Sequence, residues 1–223
     1  QKFALPRQEK FSEKELEARI STAWEALIER WDAVEREFGT LDISALRQRW
    51  LRPLFFYLKI EPEFQRADIV LDGDLRFPIS HLGRIGTTEF TLPVHSVLYD
   101  KEAKSDTLDT RVGAGRGMKK VAPHDMVQRY LNLSKEHDWA LLTDGVYLRL
   151  LRDFHHTYTR GYIEFDLQGI FNSRDFAGFR AMYRLLHASR FVIDSEKEAA
   201  PIDALYEDAL AMGVRVGEDL RKN

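Results

Sequence analysis

The chain has 223 residues, 44% hydrophobic, 31% charged and 12% aromatic, with no cysteine and a formal net charge of −3. That length and apolar content suit one globular domain, or one domain with a helical appendage, and exclude disorder over most of the chain. Disulfides and thiolate metal sites are excluded, no apolar run reaches the roughly 20 residues of a membrane helix, and the acidic balance confines any nucleic-acid contact to a local patch. Residues 1–10 lack a hydrophobic signal core, so a reducing, cytoplasmic setting is expected.

The first helix is expected from Ser12, whose hydroxyl can cap the opening turn while Glu15 reaches back as a capping box. Leu16, Ile20, Trp24, Leu27, Trp31, Val34 and Phe38 follow at helical spacing, and Gly39 is a suitable stop. A second helix from Asp42 or Ser44 carries Leu46, Trp50 and Leu51 inward and ends or kinks at Pro53. Residues 68–72 and 76–81 predict two short strands joined at Gly73-Asp74, and residues 93–99 a third. Residues 101–122, charged and poor in large apolar side chains, predict a long mobile surface loop. Pro123 suits the first turn of a helix to about Ser134, with Met126, Val127, Tyr130 and Leu131 facing in.

Residues 139–151 carry the clearest local signal, two apolar strands around the turn dipeptide Asp144-Gly145. Residues 161–166 supply one more strand. Two helices close the chain, one with Phe176, Phe179, Met182, Tyr183 and Leu186 on its inner face, the other with Ile202, Leu205, Tyr206, Ala209 and Leu210. Strands grouped about one central helix predict an α+β fold, a mixed sheet with flanking helices. Three segments are expected: a helical pair in 1–60, an α/β core in 61–172 with the basic loop 101–122, and C-terminal helices in 173–223.

Phosphate-loop, nucleophile-elbow and zinc-helix motifs are absent from the sequence. Gly113, Gly115 and Gly117 resemble a dinucleotide loop only superficially, since no strand leads into them and no apolar helix leaves them. A PD-(D/E)xK nuclease needs a carboxylate on one strand and Asp/Glu-x-Lys on the next, to hold Mg²⁺ and position water. Asp68, Asp72 or Asp74 can supply the first, and Glu102 with Lys104 forms a Glu-x-Lys, but in the charged loop beyond the strand. His81, His95 and His124 fall near one another if the strands pair as expected; buried structural histidines are the commoner outcome than a metal site. Arg111, Arg116, Lys119 and Lys120 form a run of cations suited to a phosphate backbone or to simple solvation. Arg149 and Arg152 either extend that patch or pair with acids such as Asp153 and Glu164.

Residues 123–134, 139–153, 162–167 and 185–191, with 77–81 and 93–95 ahead of them in the expected order, resemble the N-terminal region of large adenine-specific DNA methyltransferases. These are the type IIG restriction–modification enzymes and the methyltransferase of the DISARM phage-defence system. The resemblance covers roughly residues 46–191. It implies a parent that transfers methyl from S-adenosylmethionine to adenine N6, and, in members that cut DNA, a PD-(D/E)xK nuclease at this end. The methyltransferase Asn-Pro-Pro-Tyr and the cofactor loop are absent, so no methylation or cofactor residue is assigned here, and Mg²⁺ enters only if the nuclease is alive. The expectation is a DNA-facing scaffold with a nuclease-like core that has lost its catalytic residues. Its partners would be duplex DNA, the rest of the methyltransferase and other defence subunits, with no membrane. An active Mg²⁺-dependent endonuclease and a protein-interaction module are the alternatives.

Overall fold

The computed structural model describes residues 11–102, 107–111, 121–153, 161–193 and 199–222, the last ten of these by backbone alone. Helix α1 (Glu13–Val34) opens with the expected capping box, Ser12 accepting from the Glu15 amide and Glu15 accepting from the Ser12 amide. Its buried stripe is Leu16, Ile20, Ala23, Leu27, Trp31 and Val34. Gly39 follows at φ +92°.

The second helical region does not stop at Pro53. It runs as α2 (Ile43–Leu46), a π-helical stretch (Arg47–Leu51) and α3 (Arg52–Tyr57), with Pro53 in the first turn of the last piece. Proline lacks an N–H and its ring crowds the carbonyl four residues back. A local π-helical widening absorbs that conflict without ending the helix.

The sheet is mixed and six-stranded, in the order β1-β4-β5-β6-β7-β8. Its members are β1 (Glu61–Phe64), β4 (His81–Arg84), β5 (Thr91–Ser96), β6 (Trp139–Thr143), β7 (Tyr147–Arg152) and β8 (Tyr162–Asp166). Every neighbouring pair is antiparallel except β5 with β6, which are parallel and joined through α4 (Pro123–Leu133). Strands β2 (Ile69–Leu71) and β3 (Leu75–Phe77) make a separate hairpin, turning at Gly73 and Asp74, both with positive φ. Sequence periodicity missed β1, and ran β3 and β4 together as one strand. Four-residue strands on a half-exposed edge carry too few alternations to register.

One core lies on each face of the sheet. Along β6, Trp139 and Leu141 join the larger cluster, while Ala140 and Leu142 join the smaller. The larger core takes α1, α2–α3, α5 (Leu167–Asn172) and α6 (Phe176–Leu186), and draws residues from Leu16 to Ile202, so it spans all three expected segments. The smaller core takes α4 and the β2–β3 hairpin. At its edge, Leu108 is fully buried within a 3-10 turn (Thr107–Asp109). The described part of the expected surface loop is therefore anchored; residues 103–106 and 112–120 lie outside the described residues.

Helix α7 (Pro201–Lys222) begins against the ends of β6 and β7, where the Trp139 indole donates to Asp203 at 2.9 Å. The centre of the larger core is aromatic. Trp31 stacks on Phe171 with centroids 5.6 Å apart, and Trp50 meets both rings edge-on. The Trp50 indole also donates to the Gly145 carbonyl at 2.8 Å, tying α2–α3 to the β6–β7 turn. Gly145 sits at φ +89° with Leu46 and Phe38 packed where a Cβ would stand, so both conformation and space require glycine. Replacing Trp50 by Phe keeps most of the apolar volume but leaves the buried Gly145 carbonyl without its donor. We expect a loss of about 1–3 kcal/mol in urea unfolding; an unchanged midpoint would show that water takes over the bond.

Candidate functional site

A cleft of about 550 Å³ opens between the helical region 43–57 and strands β1, β4 and β5. Its floor is apolar, formed by Leu51, Phe55, Ile60, Pro62 and Val94, and Phe56 stands at its mouth 60% exposed. Arg47, Gln48, Arg52, His81, Arg84 and Ser96 supply its polar groups, with Glu61 and Glu63 on the rim. The volume lies in the range of small-ligand sites.

Helical spacing places Arg47 on the same stripe as Trp50, Leu51 and Leu54, which are buried. Arg47 is consequently drawn against the sheet. Its Nε donates to Ser96 Oγ at 2.9 Å and its Nη2 to the Ser96 carbonyl at 3.4 Å. Burial lowers its pKa from the ordinary guanidinium value. Arg84 is engaged by Glu63 at 2.9 Å and Glu61 at 3.6 Å.

Behind Arg47 a hydrogen-bond network fixes two histidines. Ser80 Oγ donates to the Val94 carbonyl at 3.1 Å and accepts from the Ser96 amide at 2.9 Å. It also lies 2.9 Å from His81 Nδ1 and 3.4 Å from Ser96 Oγ. His95 Nδ1 accepts from the Ser80 amide at 3.2 Å, which assigns its proton to Nε2. Burial, reinforced by the Arg47 charge, holds both imidazoles down at about 4. Both are neutral at pH 7.

The residues expected from the sequence fall elsewhere. Asp68 precedes β2 and Asp72 follows it, on the separate hairpin, where Asp72 pairs with Lys135 at 3.1 Å on the open surface. Glu102 lies in the turn after β5, accompanied by Asp100, whose carboxylate accepts from its amide. Lys104 lies outside the described residues. Asp68 and Asp72 thus belong to the hairpin and Glu102 to the turn after β5; β4 and β5 present His81, Arg84, Val94 and Ser96 to the cleft. Among the described residues no three His, Asp or Glu side chains come together as a metal site. His81 and His95 are neighbours, whereas His124 lies on α4.

Arg149, expected to face DNA, is 1% exposed. Its Nε donates to Glu164 at 2.6 Å and its Nη2 to Asp109 at 3.0 Å. Nη1 approaches His124 Nδ1 at 3.2 Å, and since a guanidinium only donates, that nitrogen is the acceptor. The Tyr162 ring covers it at 4.3 Å. Strand alternation decides this: Leu148 and Leu150 go to the larger core, so Arg149 goes to the α4 face. Arg152 lies across the Tyr206 ring at 3.7 Å, within 4.0 Å of Asp203, and holds α7. Both arginines are structural fasteners, not phosphate contacts. Arg111 is exposed as expected; Arg116, Lys119 and Lys120 lie outside the described residues.

The sequence reasoning missed the cleft. Its available signal was a cation, Arg47, on an otherwise apolar helical stripe.

Compared with known proteins, the chain matches no family model, no curated protein and no solved structure. No described helix is long and apolar enough to cross a membrane.

Two stability consequences follow. Unfolded histidine titrates near 6.5, whereas His81, His95 and His187 titrate at about 4 in the fold. Their contribution is complete above 6.5 and is lost as pH falls toward 4, because the unfolded chain then binds more protons. Each histidine contributes a slope of up to about 1.4 kcal/mol per pH unit in that window. Urea midpoints at pH 7.5 and pH 5 should differ accordingly; a flat profile would show that the imidazoles titrate normally. Arg149→Ala strands two carboxylates that are 25% and 30% exposed. Their partial hydration reduces the penalty of an unpaired buried charge to about 2–3 kcal/mol, read in the same assay.

Proposed function

We propose that this chain is the N-terminal, DNA-facing part of a cytoplasmic adenine-specific DNA methyltransferase of restriction–modification or phage defence. It would act as a scaffold and not as the catalyst. The observation that carries the proposal is where the resembling segments sit. Residues 123–134 make α4, 139–153 the β6–β7 hairpin and 162–167 strand β8 with the start of α5. These make one packed unit about Arg149, which joins β7, β8 and α4 through Glu164 and His124 and reaches Asp109 ahead of the basic segment.

The core is proposed as a PD-(D/E)xK-like nuclease fold that has lost its catalytic residues. Support comes from the antiparallel run β1-β4-β5, followed by α4 and then β6 parallel to β5. The cleft-facing residues of β4 and β5 are histidine, arginine, valine and serine instead of carboxylates. S-adenosylmethionine and the adenine-modifying residues belong to the rest of the parent protein. DNA contact is assigned to Arg111 and to the cations that follow it, Arg116, Lys119 and Lys120.

Binding of a fluorescein-labelled duplex, followed by anisotropy across a salt series, tests the assignment. Each phosphate contact adds about −0.9 to the slope of log affinity against log salt. Replacing all four cations by alanine should weaken binding on every sequence, flatten the slope, and leave the melting temperature close to wild type. Unaltered affinity and slope in that variant would remove the basic segment from the interface.

A further inference from the structure

Arg47 and Arg52 differ from the structural arginines in one respect. Arg149, Arg152, Arg174, Arg180 and Arg184 each have a carboxylate within ion-pair distance. Arg47 is half-buried, and its contacts among the described residues are neutral: Ser96 and the Phe64 ring, 5.5 Å away. Arg52 is exposed at the cleft mouth, and Glu61 and Glu63 on the rim are already engaged by Arg84. Removing a cation from water without a counter-charge is costly, so the fold spends stability to hold Arg47 there. The Ser80–Ser96 network fixes its position, as expected for a preorganised binding group. A π-helical stretch beginning at Arg47 fits that role, since such stretches are frequent at functional sites.

Two further features narrow the ligand. Phe56 stands 60% exposed at the mouth, whereas Leu51, Phe55 and Ile60 are at most 3% exposed, so the open Phe56 ring is the apolar face offered to a flat body. The volume of about 550 Å³ exceeds what a bare anion needs. A free phosphate would leave that ring uncovered. An anion and a planar body on one small molecule describe a nucleotide.

We propose that the cleft between residues 43–57 and strands β1, β4 and β5 binds a single nucleotide. Its phosphate lies on Arg47 and Arg52, and its base stacks on the exposed Phe56 ring. The nucleotide is either free in solution or displaced from a DNA strand. Its lining does not include the basic segment that begins at Arg111.

Calorimetric titration of the whole chain with AMP, adenosine and inorganic phosphate provides the test. AMP should bind one-to-one, with adenosine and phosphate each at least about tenfold weaker, the usual cost of one lost charged or stacking contact. Arg47→Ala should weaken AMP at least about tenfold and Arg52→Ala, at the exposed mouth, about threefold. Arg36→Ala, a surface charge outside the cleft, should change nothing. Should Arg47→Ala fail to fold, Arg52→Ala and Phe56→Ala carry the same test. Competition by a short single-stranded oligonucleotide identifies a displaced base as the source, and AMP binding without such competition identifies a free nucleotide. No saturable AMP binding, or equal binding by the folded Arg47 and Arg52 variants, overturns the proposal. Duplex binding that persists while AMP binding fails would leave the DNA-facing assignment standing and the cleft without its ligand.

Discussion

The bond from the Trp50 indole to the Gly145 carbonyl joins the two halves of this molecule. On one side stands the β6–β7 hairpin at the centre of the sheet; on the other stands the helical region 43–57 that forms a wall of the cleft. The bond forms because Gly145 takes a left-handed conformation that turns its carbonyl out of the hairpin, and because no Cβ blocks the approach of Leu46 and Phe38. Trp31 and Phe171 close around the indole, so α1 and α5 are held by the same cluster. With Trp50 held, Arg47 one turn earlier is committed to the sheet face beside Ser96.

The buried Arg149 and the half-buried Arg47 then take opposite parts. Arg149 sits under β7 with Glu164, Asp109 and His124 around it, and its charge is spent on joining α4, β8 and the turn at Thr107–Asp109. Arg47 is held with comparable care by neutral groups, leaving its charge directed at a cleft. Burial alone therefore does not separate a structural cation from a binding one. The identity of the partners does, because only an uncompensated charge has energy to gain from a ligand.

Strands β4 and β5 bring His81 and Ser96 to the cleft, and Ser80 links them to His95 outside its lining. Burial and the Arg47 charge keep both imidazoles neutral. The local field is positive, from Arg47 and Arg52, so the site is suited to an anionic ligand and not to Mg²⁺.

Residue types and spacing determined the local structure. The capping box at Ser12, the stripe of α1, the turns at Gly73-Asp74 and Asp144-Gly145, and α4 from Pro123 depend on interactions within a few residues, and they appear where the pattern placed them. Tertiary structure decided what the polar residues do. Arg149 faces α4 because Leu148 and Leu150 claim the other side of β7, and Leu108 and Asp109 become anchors because α4 and Arg149 lie over them. The short edge strand β1 forms only by pairing with β4, and Pro53 stays inside a helix because a π-helical stretch relieves its clash. Arg47, Ser80, His81 and Ser96 are separated by up to fifty positions along the chain and meet only when β4, β5 and the helix close on one another. Charge compensation depends on distances between side chains remote in sequence, and no spacing along a single chain encodes those distances.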